Sequence, residues 1–88
     1  MAAKPHVRLY TKPGCHLCED AKREIAHAGR AGGFTFEEVN ILSDPELRRR
    51  YANEIPVVTI NGVHAFKYRL TAADLLRAVQ RIRSSKTP

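Results

Sequence analysis

Two cysteines directly follow a turn signal in the segment Tyr10-Thr11-Lys12-Pro13-Gly14-Cys15-His16-Leu17-Cys18. Residues 6–10 have the composition of a strand, which the Pro-Gly pair ends. From Cys15 to about Gly29, apolar side chains recur at the spacing of one helix face. They are Leu17, Ala21, Ile25 and Ala28. The segment predicts a strand, a turn and an amphipathic helix, with the cysteines at the start of the helix.

A second strand and a short helix are predicted next along the chain. Residues 34–39 alternate as a strand does, and Phe34 and Phe36 are expected to face the core together with Phe66. The run Ser43-Asp44-Pro45-Glu46 has a cap residue and a proline where the first turn of a helix takes them. A short second helix is therefore predicted from this run.

A hairpin and a last helix follow. Asn61-Gly62 stands between two apolar runs, residues 56–60 and 63–66, and supplies the positive φ values of a two-residue turn. Thr71 and Asp74 form a capping pair for the final helix. The order β-α-β-α-β-β-α predicts an α/β fold, with a four-stranded mixed sheet and helices on both of its faces.

Length and composition predict one small folded domain. The chain has 88 residues, of which 43% are hydrophobic and 27% charged, a composition typical of globular proteins. We expect a flexible N-terminus at residues 1–5, a folded domain at 6–83 and a flexible tail at 84–88. No stretch has the roughly 18 consecutive apolar residues of a membrane span, and the first residues lack a secretory signal. A cytoplasmic location, no membrane partner and a monomeric state are expected.

The formal net charge of +6 favours acidic partners in general. Basic residues are scattered apart from Arg48-Arg49-Arg50 and the C-terminal residues, and few aromatic residues stand among them to stack on bases. Nucleic-acid binding is therefore not the expected function.

Cys15 and Cys18 are the only cysteines of the chain. A bridge that closes so short a loop contributes little to stability, so reversible chemistry or metal binding explains the pair better. Half of a zinc site is the alternative, but the sequence has no second Cys-x-x-Cys or His-x-x-x-His pair to complete four ligands. No metal and no bound cofactor are expected, and redox use of the pair is the preferred interpretation.

The position of the cysteines predicts their roles. Unpaired N–H groups and the positive end of the dipole at a helix start favour a thiolate, so Cys15 is predicted to attack a disulfide. Cys18 lies one turn further along and is predicted to resolve the mixed disulfide. His16, if protonated, adds positive charge beside them. Glu19 and Asp20 act in the opposite direction, so the net effect on the thiols stays open.

These residues resemble the glutaredoxin-like branch of the thioredoxin-fold superfamily. The likeness runs from about Val7 to Ile82 and includes residues 10–18, Glu54-Ile55-Pro56-Val57-Val58 and Ile60-Asn61-Gly62. It implies that Lys12 lies beside the attacking sulfur. It also implies that the Ile55–Pro56 loop lies opposite the cysteines, where Pro56 shapes a groove and the Ile55 main chain pairs with an extended substrate. The bond before Pro56 is a candidate cis peptide.

Two departures from the family argue against glutathione binding. Glu54 stands before Ile55-Pro56 where glutathione-binding members carry a small residue, and its charge repels carboxylates. Residues 66–70 replace a Gly-Gly pair with bulkier side chains. Glutathione remains one candidate reductant, beside a reductase protein or another small thiol.

The sequence thus predicts a thiol-disulfide oxidoreductase that reduces protein or mixed disulfides. Two alternatives stay open. One is an iron-sulfur cluster carrier that uses Cys15 from two subunits. The other is a redox-inactive docking domain with a basic surface.

Overall fold

A computed structural model describes residues 4–85 of the chain. It contains four strands, three α-helices and a short 3₁₀ helix, in the predicted order β-α-β-α-β-β-α. The elements are β1 His6–Thr11, α1 His16–Gly29, β2 Thr35–Asn40, the 3₁₀ helix Ile41–Ser43, α2 Pro45–Tyr51, β3 Val57–Ile60, β4 Val63–Lys67 and α3 Ala72–Ser85.

The four strands form one mixed sheet in the order β2-β1-β3-β4. β1 runs parallel to β2 and antiparallel to β3, and β3 runs antiparallel to β4. The turn between β3 and β4 has positive φ at both Asn61 (54°) and Gly62 (83°), as the Asn-Gly pair predicts. β1 is therefore a central strand, and the loop that follows it carries the cysteines.

Helices cover both faces of the sheet because neighbouring strand residues point to opposite sides. On one face, Val7 and Leu9 of β1 pack with α1 and α3, through side chains that include Ile25 and Leu75. On the other face, Tyr10 packs with residues of α2 and the 3₁₀ helix. The predicted α/β fold class is confirmed.

The prediction that Phe36 faces the core is wrong. Its side chain is 43% exposed, whereas Phe34 and Phe66 pack against the core. Phe36 pairs in register with Val7, which is fully buried. β2 is an edge strand of the sheet, so the helices that cover Val7 do not cover Phe36 to the same extent.

The folded region extends past the predicted boundary at both ends. Pro5, assigned to the flexible N-terminus, is buried, and its carbonyl accepts a hydrogen bond of 2.9 Å from the Thr35 N–H. α3 ends at Ser85, two residues beyond the predicted limit at residue 83. The remainder of the two predicted tails, residues 1–3 and 86–88, lies outside the described residues.

The start of α3 is capped from two elements. The Thr71 hydroxyl accepts from the Asp74 N–H at 3.1 Å, as the sequence predicts, and Glu24 of α1 accepts from the Ala72 N–H at 2.8 Å. Each bond satisfies one of the N–H groups that a helix start leaves unpaired. Glu24 thereby fixes α3 to α1.

Replacing Glu24 by Ala is expected to lower the free energy of unfolding by about 1–2 kcal/mol, because the Ala72 N–H loses its acceptor. Glu24→Gln keeps a carbonyl oxygen in place and is expected to lose less than half of that amount. Urea unfolding followed by circular dichroism measures both changes. Equal stability of Glu24→Ala and the unaltered protein would contradict the capping role.

Glu37 connects the first two strands through charge. One of its carboxylate oxygens accepts from His6 Nε2 at 3.1 Å and from Arg8 Nε at 3.0 Å. The hydrogen bond from His6, followed by that from Arg8, lowers the pKa of Glu37 below its ordinary value of 4.5. A lowered folded-state pKa gives stability that is present above the unfolded pKa and lost as the pH falls through the folded one.

As the pH falls below 5, Glu37→Gln is therefore expected to lose less stability than the unaltered protein, because the variant has no carboxylate to protonate at this position. Denaturant unfolding at pH 5, 4 and 3 tests this, with Glu46→Gln on the exposed surface of α2 as the control. If the free energy of unfolding fell as steeply below pH 5 in Glu37→Gln as in the unaltered protein, this linkage would be ruled out.

Candidate functional site

Cys15 and Cys18 lie at the start of α1, with Cys15 as the residue that caps the helix. Gly14 precedes it with a φ of 81°, a value that favours glycine, so the chain turns sharply before the helix begins. The two cysteines form a disulfide, with their Cα atoms 5.2 Å apart. Cys15 Sγ also accepts a hydrogen bond of 3.1 Å from the Cys18 N–H.

The two sulfurs differ in burial. Cys18 is 2% exposed and belongs to the core cluster around Tyr10 and Ile41, whereas Cys15 is half-buried at the edge of that cluster. An external disulfide therefore meets Cys15 before Cys18. The arrangement separates an accessible sulfur from an internal one.

An open cleft of about 400 Å³ lies beside the cysteines. It is formed by the loop after β1, the first turns of α1 and the end of β2. Lys12 and His16, the two predicted modulating residues on this side, both line it together with the cysteines. The complete lining is Thr11, Lys12, Pro13, Gly14, Cys15, His16, Cys18, Glu19, Lys22, Glu38 and Asn40.

A charged network that the sequence analysis missed closes one wall of this cleft. Lys22 Nζ lies 3.2 Å from a Glu38 carboxylate oxygen and 3.3 Å from one of Glu19, and the Thr11 hydroxyl donates to Glu38 at 3.1 Å. The hydrogen bond to Glu38, followed by that to Glu19, raises the pKa of Lys22 above its usual value. Lys22 is thus a paired cation.

Lys12 differs from Lys22 in its pairing. Within residues 4–85 it has no hydrogen-bond or ion-pair partner, and its side chain is exposed. Its ammonium group is available to an anionic group that enters the cleft. Of the two lysines in the lining, Lys12 is the one left free to act on the sulfurs or on a ligand.

Ile55 and Pro56, the predicted substrate-contacting residues, are not among the residues that line the cleft. The peptide bond between them is cis, the isomer that the sequence predicts as a candidate. Ile55 is 9% exposed and belongs to the same cluster as Cys18, against which Cys15 packs. Lys12, His16 and the cysteines therefore share the cleft, whereas Ile55 meets the cysteines through the buried cluster.

Within residues 4–85 the main chain of Ile55 is left without a hydrogen-bond partner. The Pro56 carbonyl, in contrast, accepts from the Tyr68 N–H at 2.8 Å. Unpaired groups of this kind at the end of a strand can pair with another extended chain.

The described residues also bear on two other classes of site. No helix in this part of the chain is long and apolar enough to cross a membrane. No group of three or more His, Cys, Asp or Glu side chains within residues 4–85 is placed to hold a metal ion.

With this geometry in view, comparison with protein families gives a direct match. The family model described as a glutaredoxin-like domain (DUF836) matches residues 6–80. The chain belongs to the glutaredoxin-like family. The matched region contains both cysteines and the cis-proline loop of this glutaredoxin-like domain.

Two relatives show how far the likeness extends in sequence. A glutaredoxin-like protein of Dictyostelium discoideum is 36% identical over 73 residues, which cover 74% of this chain and 66% of that protein. An uncharacterised protein of Mycobacterium tuberculosis is 26% identical over 65 residues, 68% of this chain and 67% of that protein. The chain thus spans about two thirds of the length of each relative.

Solved structures support the same assignment. A structural-genomics target protein from X. campestris superposes with a TM-score of 0.70 at 31% identity, over 85% of this chain and 96% of that one. Chloroplastic thioredoxin z gives a TM-score of 0.77 at 16% identity, over 92% of this chain and 80% of its own. The latter likeness shows the thioredoxin fold.

Proposed function

We propose that this glutaredoxin-like domain is a thiol-disulfide oxidoreductase that reduces protein or mixed disulfides, with Cys15 as nucleophile and Cys18 as resolving thiol. The observation that carries the proposal is the pairing of a half-buried Cys15 at a helix start with a buried Cys18. That arrangement supplies one thiol that meets the substrate and a second that meets only the first.

The proposed cycle begins with the Cys15 thiolate. Its sulfur attacks one sulfur of the substrate disulfide, a mixed disulfide forms, and the first substrate sulfur leaves as a thiolate that takes up a proton. Cys18, as thiolate, then attacks Cys15 Sγ and displaces the second substrate sulfur. The substrate gains two electrons and two protons, and the protein is left with the Cys15–Cys18 disulfide. An external thiol or dithiol donor must return the two electrons.

The start of α1 and Lys12 favour the thiolate of Cys15, against the opposing negative charge of Glu19 and Glu38 in the same cleft. The Cys18 N–H that donates to Cys15 Sγ belongs to the first turn of α1, where the helix dipole is positive. Lys12, free and exposed in the same cleft, adds a second positive group. His16 lies in the same cleft lining. Lys12 and His16 are proposed to promote the thiolate, and Ile55 and Pro56 to receive the substrate chain.

The capped start of α3 favours a donor other than glutathione. Glutathione carries two carboxylates, and a helix start is a common place for such groups. Here the Ala72 and Asp74 N–H groups of α3 are already occupied by Glu24 and Thr71. A reductase protein or another low-molecular-weight thiol is the proposed donor, and a cytoplasmic monomer acting on protein disulfides is the proposed setting.

The test is a single-turnover transfer. Reduced, donor-free protein is mixed with a peptide disulfide whose cleavage separates a fluorophore from its quencher, and the thiols are then alkylated and counted by mass. The proposal predicts one Cys15–Cys18 disulfide formed for each peptide disulfide reduced. An anaerobically purified protein that absorbs visible light and transfers no electrons would instead support the hypothesis of an iron-sulfur cluster carrier. A colourless protein that transfers no electrons would support the hypothesis of a redox-inactive docking domain.

A further inference from the structure

Tyr68 follows β4 and has a φ of 70°, a left-handed value that is uncommon for a residue with a large side chain. Its N–H donates to the Pro56 carbonyl at 2.8 Å. Its hydroxyl donates to the Asn53 carbonyl at 3.2 Å. One residue thus holds the cis-proline loop at two points, one on each side of Ile55. A positive φ at a residue with a large side chain is costly, and here two hydrogen bonds to one loop maintain it. This combination indicates a role beyond packing.

Ile55 lies between these two anchored carbonyls. Its main chain has no hydrogen-bond partner among the described residues, and its side chain packs in the cluster that Cys15 borders. The bonds from Tyr68 restrict the directions in which the free N–H and carbonyl of Ile55 can point. An extended chain that pairs with Ile55 therefore meets a main chain that is already oriented.

The ring of Tyr68 is also part of the surface beside this loop. The residue is 43% exposed, and with Leu17 and Leu70 it lines an open cavity of about 300 Å³ between α1 and the start of α3. Leu17 stands between the two cysteines in sequence. A large, partly exposed aromatic ring beside unpaired main-chain groups is the kind of surface that a bound polypeptide covers.

We propose that Tyr68 is a positioning and specificity-determining residue: it orients the Ile55 main chain for an extended polypeptide, and its ring is covered by the residues that flank the substrate disulfide. The substrate class is therefore the disulfide of an extended protein segment, in preference to small disulfides, which have no main chain to pair with Ile55. This inference rests on the proposed function and adds no chemical step to it.

The test compares two substrates. Steady-state kinetics are measured with a disulfide-linked peptide of about eight residues and with bis(2-hydroxyethyl) disulfide, which has no main chain to pair. Tyr68→Gly suits the observed φ, keeps the N–H donor and removes the ring. It is expected to lower the ratio of the two kcat/KM values, peptide over small disulfide, about tenfold, through a higher KM for the peptide.

Two further variants complete the design. Tyr68→Phe retains the ring and loses only the bond to Asn53, and the ratio is expected to fall about threefold. Phe36→Ala, which removes an equally exposed aromatic from the far edge of the sheet, is expected to leave the ratio unchanged. An equal loss on both substrates, or a loss in kcat alone, would make Tyr68 merely structural and overturn the inference. An unaltered protein that reduces neither disulfide would instead overturn the proposed function.

Discussion

Cys15→Ser is expected to lower the rate of disulfide reduction by about three orders of magnitude or more, because an alcohol at this position is not ionised at neutral pH and does not form the mixed disulfide. Cys15 is the half-buried sulfur of the pair, and Cys18 is 2% exposed. Cys18 therefore cannot replace it as the first nucleophile without local opening of α1. The release of thiol from a peptide disulfide, followed at fixed donor concentration, measures the loss.

The control for this variant is its stability. The hydroxyl of Ser accepts a hydrogen bond from an N–H as the sulfur does, so the cap of α1 is preserved in kind. Urea unfolding of Cys15→Ser should be compared with that of the reduced, unaltered protein. A folded Cys15→Ser variant that still reduces the peptide at a rate within tenfold of the unaltered protein would refute the assignment of the nucleophile.

Cys18→Ser is expected to stop the cycle one step later, with the substrate attached to Cys15. The first attack needs only Cys15, but the displacement of the second substrate sulfur needs the thiol one turn along α1. Turnover is expected to fall by about 10²-fold or more, since an intramolecular attack is replaced by the slower attack of an external thiol. Intact-mass measurement should show the peptide bound to the protein through one reducible bond.

The adduct separates Cys18→Ser from a variant that is simply inactive. A matched Cys15→Ser sample under the same conditions should show no adduct. If Cys18→Ser turned over as fast as the unaltered protein and accumulated no adduct, a one-thiol mechanism would replace the proposed two-thiol cycle. If both variants formed the adduct equally, the difference in exposure between the two sulfurs would have no functional meaning.

Local sequence predicted the parts of the site that local interactions form. The turn at Pro13-Gly14, the capping position of Cys15 and the Asn61-Gly62 hairpin each depend on the conformations of a few neighbouring residues. Thr71 caps the Asp74 N–H for the same reason. These residues set the chain direction around the cysteines, so the fold class and the place of the disulfide could be deduced from the sequence.

The remaining features depend on contacts between distant elements. Glu38 joins the cleft only because β2 pairs in parallel with β1 in a register that sets Glu38 beside Leu9. The place of Lys22 beside the cysteines was weakly indicated by the sequence, since it lies four residues after Cys18 on the same side of α1. Phe36 has the pattern of a core residue, but its exposure depends on β2 being an edge strand. The sequence did not indicate that Tyr68 positions the cis-proline loop, since its hydrogen-bond partners Pro56 and Asn53 are 12 and 15 residues away.

The central claim is that Cys15 and Cys18 form a reversible two-electron couple. It is tested most directly by equilibrating the protein with defined ratios of reduced and oxidised glutathione, followed by thiol alkylation and intact-mass measurement. The proposed cycle predicts a single two-electron transition between about −200 and −270 mV, the interval from glutaredoxins to thioredoxins. Loss of the transition in each single Cys→Ser variant would complete that result. Thiols that remain unbridged at every ratio would contradict the claim.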